Sequence, residues 1–214
     1  MKLDAKAMSA LVQTLEWAYD KAVMGVPGLD SAGDLAATYE RQFATTDEAI
    51  DALIRWQMAK AAAAGFLTNL GGVVTLPVAL PANLVSALYI QIRMVAAIAK
   101  LRGHDLHSDK VRTVVLACLC GTSLVDIAKE VGVGIGVGLA QTAATGLSTK
   151  ALRRLNHRAG ATLLHKAVGG VSLARLTPLI GGMIAGVADG AVTRGYGTAA
   201  KRLFEPMTEV VVVG

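Results

Sequence analysis

Between Lys60 and Arg93 the chain runs for 32 positions without a charged side chain. Water does not stabilise such a run, so it has to be buried in protein or in lipid. Pro77 and Pro81 divide it into two apolar arms. The second arm, residues 81–101, reads as one helix of about 31 Å at 1.5 Å per residue. Pro81 is tolerated in its first turn, where the N–H has no intrahelical partner. Apolar residues fall on every side of this helix, which predicts a central position. The first arm is more ambiguous. Eight Leu, Ile, Val or Phe residues lie between Ala61 and Leu80, a gain of about 4 kcal/mol on membrane-insertion scales. The glycines, Asn69 and Pro77 offset much of that gain. A buried or re-entrant hairpin arm therefore fits at least as well as a spanning helix.

Arg93 sits inside the second arm, with Gln91 beside it. A cation in an apolar interior needs a partner, because leaving it unpaired costs several kcal/mol, roughly 3–5. Asp126, Glu130 and Asp189 are the candidate acids, and a buried ion pair of Arg93 with Asp126 or Asp189 is expected.

The apolar character of the chain comes from small and aliphatic residues. Hydrophobic residues make up 53% of the 214 and aromatics only 4%, with a mean hydropathy of +0.50. Small residues suit close helix–helix contact. Charge is divided unevenly along the chain. Residues 1–60 carry six basic and nine acidic side chains, whereas residues 61–214 carry 15 and 7. A basic surface drawn to anionic lipid is the sharper reading of that excess, and a solvated face the plainer one. Nucleic acid is not expected as a partner, since stacking aromatics are scarce and the basic residues are interleaved with apolar helix positions.

The remainder of the chain also reads as helix. Residues 3–24 form an amphipathic helix stopped by Gly25. Residues 31–43 form a short second one. Thr45 and Glu48 match a capping box that opens a third, running into Ala61. Residues 103–108 form a turn in which Ser108 or Asp105 caps a helix over residues 109–131. The alternating glycines of residues 131–138 lack dinucleotide-fingerprint spacing and read as a helix break. Ser148 caps a basic segment holding Lys150, Arg153, Arg154 and Arg158, and residues 160–170 give another short helix. Thr177–Pro178 starts a last helix reaching Phe204. It carries Gly182, Gly186 and Gly190, a packing stripe at every fourth position, and ends near Lys201 and Arg202. The expected architecture is all-α: a compact multi-helix bundle around a central apolar hairpin with glycine-zipper packing. Residues 1–44 are an N-terminal helical segment, 45–206 the main domain and 207–214 a frayed tail. No secretory signal is read at the start, where Asp4 and Lys6 interrupt any apolar core.

Chemistry-bearing motifs are sparse. No GxSxG, HExxH or P-loop occurs. Cys118 and Cys120 have neither redox nor zinc spacing and read as buried reduced thiols. His104, Asp105 and His107, with Arg93, form the one cluster with catalytic or metal-binding side chains, and turn chemistry explains the first three more simply. No cofactor, metal site or catalytic residue is expected.

Four segments occur in an order that resembles the EcsC family of bacterial proteins: GFLTNLGGVVTLPVALPANL, QIRMVAAIAKLRGHDL, VRTVVLACLCG and LTPLIGGMIAGVADGAVTRGYGTAAKRLF. The similarity covers roughly residues 45–205. Arg102 stands before the Gly-x-Asp of Gly103 and Asp105, where the family pattern has an aromatic. The family is named after a gene beside those of an ABC exporter. The resemblance implies a helical bacterial protein and no established catalytic residues.

These readings converge on a non-enzymatic, membrane-associated helical protein, an accessory to membrane transport or envelope function. It is expected on the cytoplasmic side of the inner membrane, with Lys150, Arg153, Arg154, Arg158, Lys201 and Arg202 near anionic headgroups. Its expected partners are membrane lipid or a membrane protein, with homo-oligomerisation open. The alternative is a soluble bundle that holds a lipid-like ligand or a partner protein.

Overall fold

The computed structural model describes residues 5–62, 82–119 and 178–204, with side chains for 12–60, 88–119 and 190–204. These residues form six helices: α1 (Ala5–Met24), α2 (Ala32–Gln42), α3 (Thr46–Ala62), α4 (Ala82–Leu101), α5 (Asp109–Cys118) and α6 (Pro178–Leu203). The described part is all-α and has no strand beyond an isolated bridge between Val26 and Leu29.

Local chemistry sets the helix ends. Gly25 takes φ +82° and donates its N–H to the Lys21 carbonyl at 2.9 Å, a left-handed stop that glycine adopts without steric cost. Ser31 caps α2 by accepting from the Asp34 N–H at 3.0 Å. The capping box of α3 is complete: Glu48 N–H donates to Thr45 Oγ1 at 3.3 Å, and Thr45 N–H to Glu48 Oε2 at 3.2 Å. At the start of α5 the Ser108 hydroxyl makes no cap. The preceding turn is held instead by Asp105 Oδ1, which accepts from the His107 N–H at 2.9 Å. α5 closes at Cys118 with a tightened turn, Leu119 N–H to Leu116 carbonyl at 3.3 Å. That end falls short of the expected residue 131, and residues 120–177 lie outside the described part.

Helix α4 occupies the centre and touches each of the other five. Every residue from Ile92 to Ala99 is buried, as the all-round apolar pattern requires. The first arm of the expected hairpin, residues 65–80, lies outside the described part. α1 and α2 also pack directly on α4, so the N-terminal segment shares the core. Tyr19 of α1 donates its hydroxyl to the Leu106 carbonyl at 2.8 Å, under the guanidinium of Arg112 at 4.9 Å from the ring centre. Arg112 also pairs with Asp20.

Salt bridges fix the directions of α3, α4 and α6. Asp47, at the start of α3, meets Arg102 after the end of α4 at 2.6 Å. Lys201, near the end of α6, reaches Asp51 at 2.7 Å and Asp47 at 3.5 Å. Both α4 and α6 therefore run antiparallel to α3. The Arg102 hydrogen bond holds the Asp47 carboxyl below its usual range. A carboxylate with a depressed folded-state pKa stabilises above its unfolded value, and that contribution disappears as pH falls through the folded value. We expect the acid limb of the stability–pH profile to flatten in Asp47→Asn, measured by thermal melts between neutral and acid pH.

Among the described glycines the tightest surroundings are those of Gly197 of α6, where a Cβ would lie 2.6 Å from Ile54 Cγ1 and 3.1 Å from Ile54 Cγ2. Ile54 is stiff at χ1 and poorly able to move aside. Gly182 and Gly186 of the expected stripe lie in α6 with their packing outside the described part, while Gly190 is buried. Gly197→Ala is expected to cost about 1–3 kcal/mol through overpacking. Gly195 has nothing within 4 Å of its would-be Cβ. Gly195→Ala is expected to raise stability, by up to about 1 kcal/mol of helix propensity. Denaturant unfolding of the two variants checks the opposite signs.

Candidate functional site

The feature of the interior that core packing does not explain is a set of buried polar atoms on α3, α4 and α6. Arg93 is 3% exposed. Its Nη1 donates to the Asp30 carbonyl at 2.9 Å, and its Nε has no hydrogen-bond partner. Tyr89, one turn earlier on the same side of α4, has a buried hydroxyl that is likewise unpartnered. So are both amide atoms of Gln57 on α3 and Oγ1 of Thr193 on α6. Groups of this kind cost about 1–3 kcal/mol each when left unsatisfied, and native interiors contain few of them.

Helix register relates two of these groups, Gln57 of α3 and Thr193 of α6. Ile54 faces Gly197, so the next turn brings Gln57 level with Thr193. Around Arg93 the neighbours are titratable groups. Burial, and then the charge of Arg93, lower the pKa of Lys60. Burial pulls Arg93 itself below its usual range, against the opposing influence of Tyr89, Asp30 and Tyr39. Burial raises Tyr89 and Tyr39, with Arg93 acting against it in both cases. A cation thus lies within an apolar helix surface, beside neutral donors and acceptors.

Outside this layer, the same half of α3 carries an exposed indole. Trp56 is 55% exposed, with Lys60 Nζ 5.5 Å from its ring centre and Arg55 exposed beside it. Lys60 is the last charged residue before the uncharged run of residues 61–92.

The family model of the EcsC protein family matches residues 2–205. The chain belongs to the EcsC family. The match starts at residue 2, so it takes in the N-terminal helices as well as the segments from residue 45 onward. No curated protein and no solved structure matches the chain.

In this EcsC protein the histidine cluster read from the sequence is divided between the interior and the surface. His104 is buried, with its ring 5.2 Å from that of Phe204. His107 is exposed, and Asp105 is engaged by the His107 backbone. Arg93 lies farther back along α4, bonded to Asp30. Among the described residues no three His, Cys, Asp or Glu side chains are placed to hold a metal ion. A cleft of about 330 Å³ lies between His104, Phe204 and the first turn of α5, lined also by Ser108, Lys110 and Val111. Cys118 is fully buried, and Cys120 lies outside the described part.

Of the expected basic face, Lys201 is engaged with Asp51 and Asp47 and Arg202 is exposed. Lys150, Arg153, Arg154 and Arg158 lie outside the described residues. Asp126, Glu130 and the side chain of Asp189 do too, so the expected ion pairs of Arg93 fall there. The contact observed for Arg93, with the Asp30 carbonyl, joins residues 63 apart and had no signal in the sequence. Gln57 and Thr193 were equally unmarked, because a polar residue on a mixed helix discloses its burial only once its neighbours are placed.

Replacing a poorly paired buried cation by an apolar residue of similar length is often neutral or stabilising, whereas breaking a true buried ion pair costs about 3–5 kcal/mol. We expect Arg93→Met to melt at or above the wild-type temperature. A drop of the ion-pair size would show instead that Arg93 balances a buried acid.

Proposed function

We propose that this EcsC protein is a non-enzymatic, membrane-associated helical protein, serving membrane transport or the envelope from the cytoplasmic side. The observation that carries this reading is Trp56, exposed at 55% and paired with Lys60 at 5.5 Å, where the uncharged run begins. An indole beside a cation suits the membrane interface, with its apolar body in the headgroup region and its N–H and neighbouring charge in water. The basic excess of residues 61–214 supports attraction to anionic lipid, at about 1 kcal/mol per basic residue near the surface. Among the described residues no helix is long and apolar enough to cross a membrane. The reading therefore calls for docking or partial embedding.

The chain has two tryptophans, Trp17 and Trp56, and Trp17 is half-buried against the core. In a Trp17→Phe background, Trp56 fluorescence is expected to shift to the blue on adding vesicles with anionic headgroups, and to be quenched by brominated acyl chains. Neutralising Arg153 and Arg154 together is expected to weaken flotation with the same vesicles. Unchanged Trp56 emission in protein that floats would move the contact to another surface. Absence of flotation would overturn membrane association.

A second reading, a bundle that holds a lipid-like ligand, is favoured by a different observation: the buried, unpartnered Nε of Arg93 and hydroxyl of Tyr89.

A further inference from the structure

We propose that the bundle enters one leaflet of an anionic membrane end-on. It leads with the end at which α3 stops and α4 and α6 start, while the opposite end, with Lys201 and Arg202, stays in water. This rests on the membrane-associated reading above and assigns the surface and the orientation that reading uses.

The directions of three helices set the two ends apart. Two contacts fix α6 against α3: Lys201 meets Asp51, and Gly197 faces Ile54. Two likewise fix α4: Arg102 meets Asp47, and the charge of Arg93 acts on Lys60. As α3 runs toward Ala62, both neighbours run back toward their first residues, Ala82 and Pro178. Those three helix ends point the same way, away from Asp47, Arg102 and Lys201.

Charge along the three helices follows the same division. α4 has no charged residue from Ala82 to Ile92, and α6 has none from Pro178 to Ala188. Lys60 is the last charge of α3, and the chain between Ala62 and Ala82 carries none. The uncharged openings of α4 and α6 are 11 residues each, about 16 Å of helix. A bilayer's hydrocarbon core is about 30 Å thick, so 16 Å reaches through one leaflet and no farther. A helix lying flat in the interface needs one apolar and one charged face, which neither opening stretch has. Near the same end of α3 stand Trp56, 55% exposed, and Lys60, side-chain types that settle at headgroup level. The net excess of basic residues over 61–214 makes an anionic surface the complementary one.

The orientation has a consequence for the basic residues at the other end. Lys201 lies about 35 Å along α6 from Pro178. With about 16 Å in hydrocarbon and a headgroup layer about 5–8 Å thick, Lys201 and Arg202 stand clear of the surface. They therefore leave the set of residues expected near anionic headgroups.

The test uses the full chain with vesicles of phosphatidylethanolamine and phosphatidylglycerol, in a Trp17→Phe, Trp56→Phe background. Single tryptophan reporters are placed at one end by Met183→Trp and at the other by Arg202→Trp. Each variant is first checked for a wild-type melting transition, and Ser86→Trp on α4 replaces Met183→Trp if that variant does not fold. Burial in protein also shifts emission to the blue, so quenching by brominated acyl chains is the deciding readout. In protein that floats, the Met183→Trp reporter is expected to be quenched and the Arg202→Trp reporter to stay as in buffer. Arg202→Gln, in the otherwise native chain, is expected to float like wild type. A Met183→Trp or Ser86→Trp reporter that no bromine reaches, in protein that still floats, would overturn end-on entry and leave membrane association standing. Quenching of the Arg202→Trp reporter would do the same. So would a loss of vesicle binding of about fivefold in Arg202→Gln, the size expected of a basic residue at an anionic surface. Absence of flotation in the native chain would overturn both the orientation and the reading it rests on.

Discussion

Burial of α4 on every side is the constraint the remaining described structure answers. A helix with no polar face cannot sit at the surface of a bundle, and α4 is in contact with α1, α2, α3, α5 and α6. That demand explains why helices far apart in sequence meet: α1 and α2 from the start of the chain, and α6 from residues 178–203. It also explains why Arg93 is exceptional. With α4 enclosed, its cation lies inside the bundle, and the Asp30 carbonyl gives only part of the solvation that water would supply.

The two ends of the α3–α4–α6 unit differ in character. At one end Asp47, Asp51, Arg102 and Lys201 tie three helix termini together at 2.6–3.5 Å. The acids are largely exposed, so each bridge adds little stability, and their main consequence is to fix direction and register. Toward the other end the polar atoms are buried and lack partners, and an exposed tryptophan stands on the outside. The EcsC family match spans both.

Much of the architecture was legible because its causes are local. The Thr45–Glu48 box, Gly25 and Pro178 marked helix ends through hydrogen bonds and backbone preferences that act within a few residues. The start of α5 was read less well. Of the two caps open there, Ser108 makes no side-chain bond, and Asp105 acts one step earlier by holding the turn through the His107 N–H. The glycine contact now visible is Gly197 against Ile54, which no fourfold stripe predicts, since a single close approach needs one small residue and leaves no period. The candidate site was legible only at Arg93. A charge in an apolar run is conspicuous, whereas Gln57, Tyr89 and Thr193 look ordinary until three helices are aligned.

By itself the sequence determined the all-helical class, the positions of most described helix ends, the centrality of residues 82–101 and the anomaly of a cation within them. Those follow from hydrogen bonding and hydrophobic periodicity, which act over a turn or two of chain. Tertiary structure alone decided that Asp30 receives Arg93, that Asp47 meets both Arg102 and Lys201, that Gly197 must stay small, and that polar atoms of α3 and α6 are buried without partners. Those depend on the register between helices, which is fixed by the packing of side chains far apart in sequence and has no local signature.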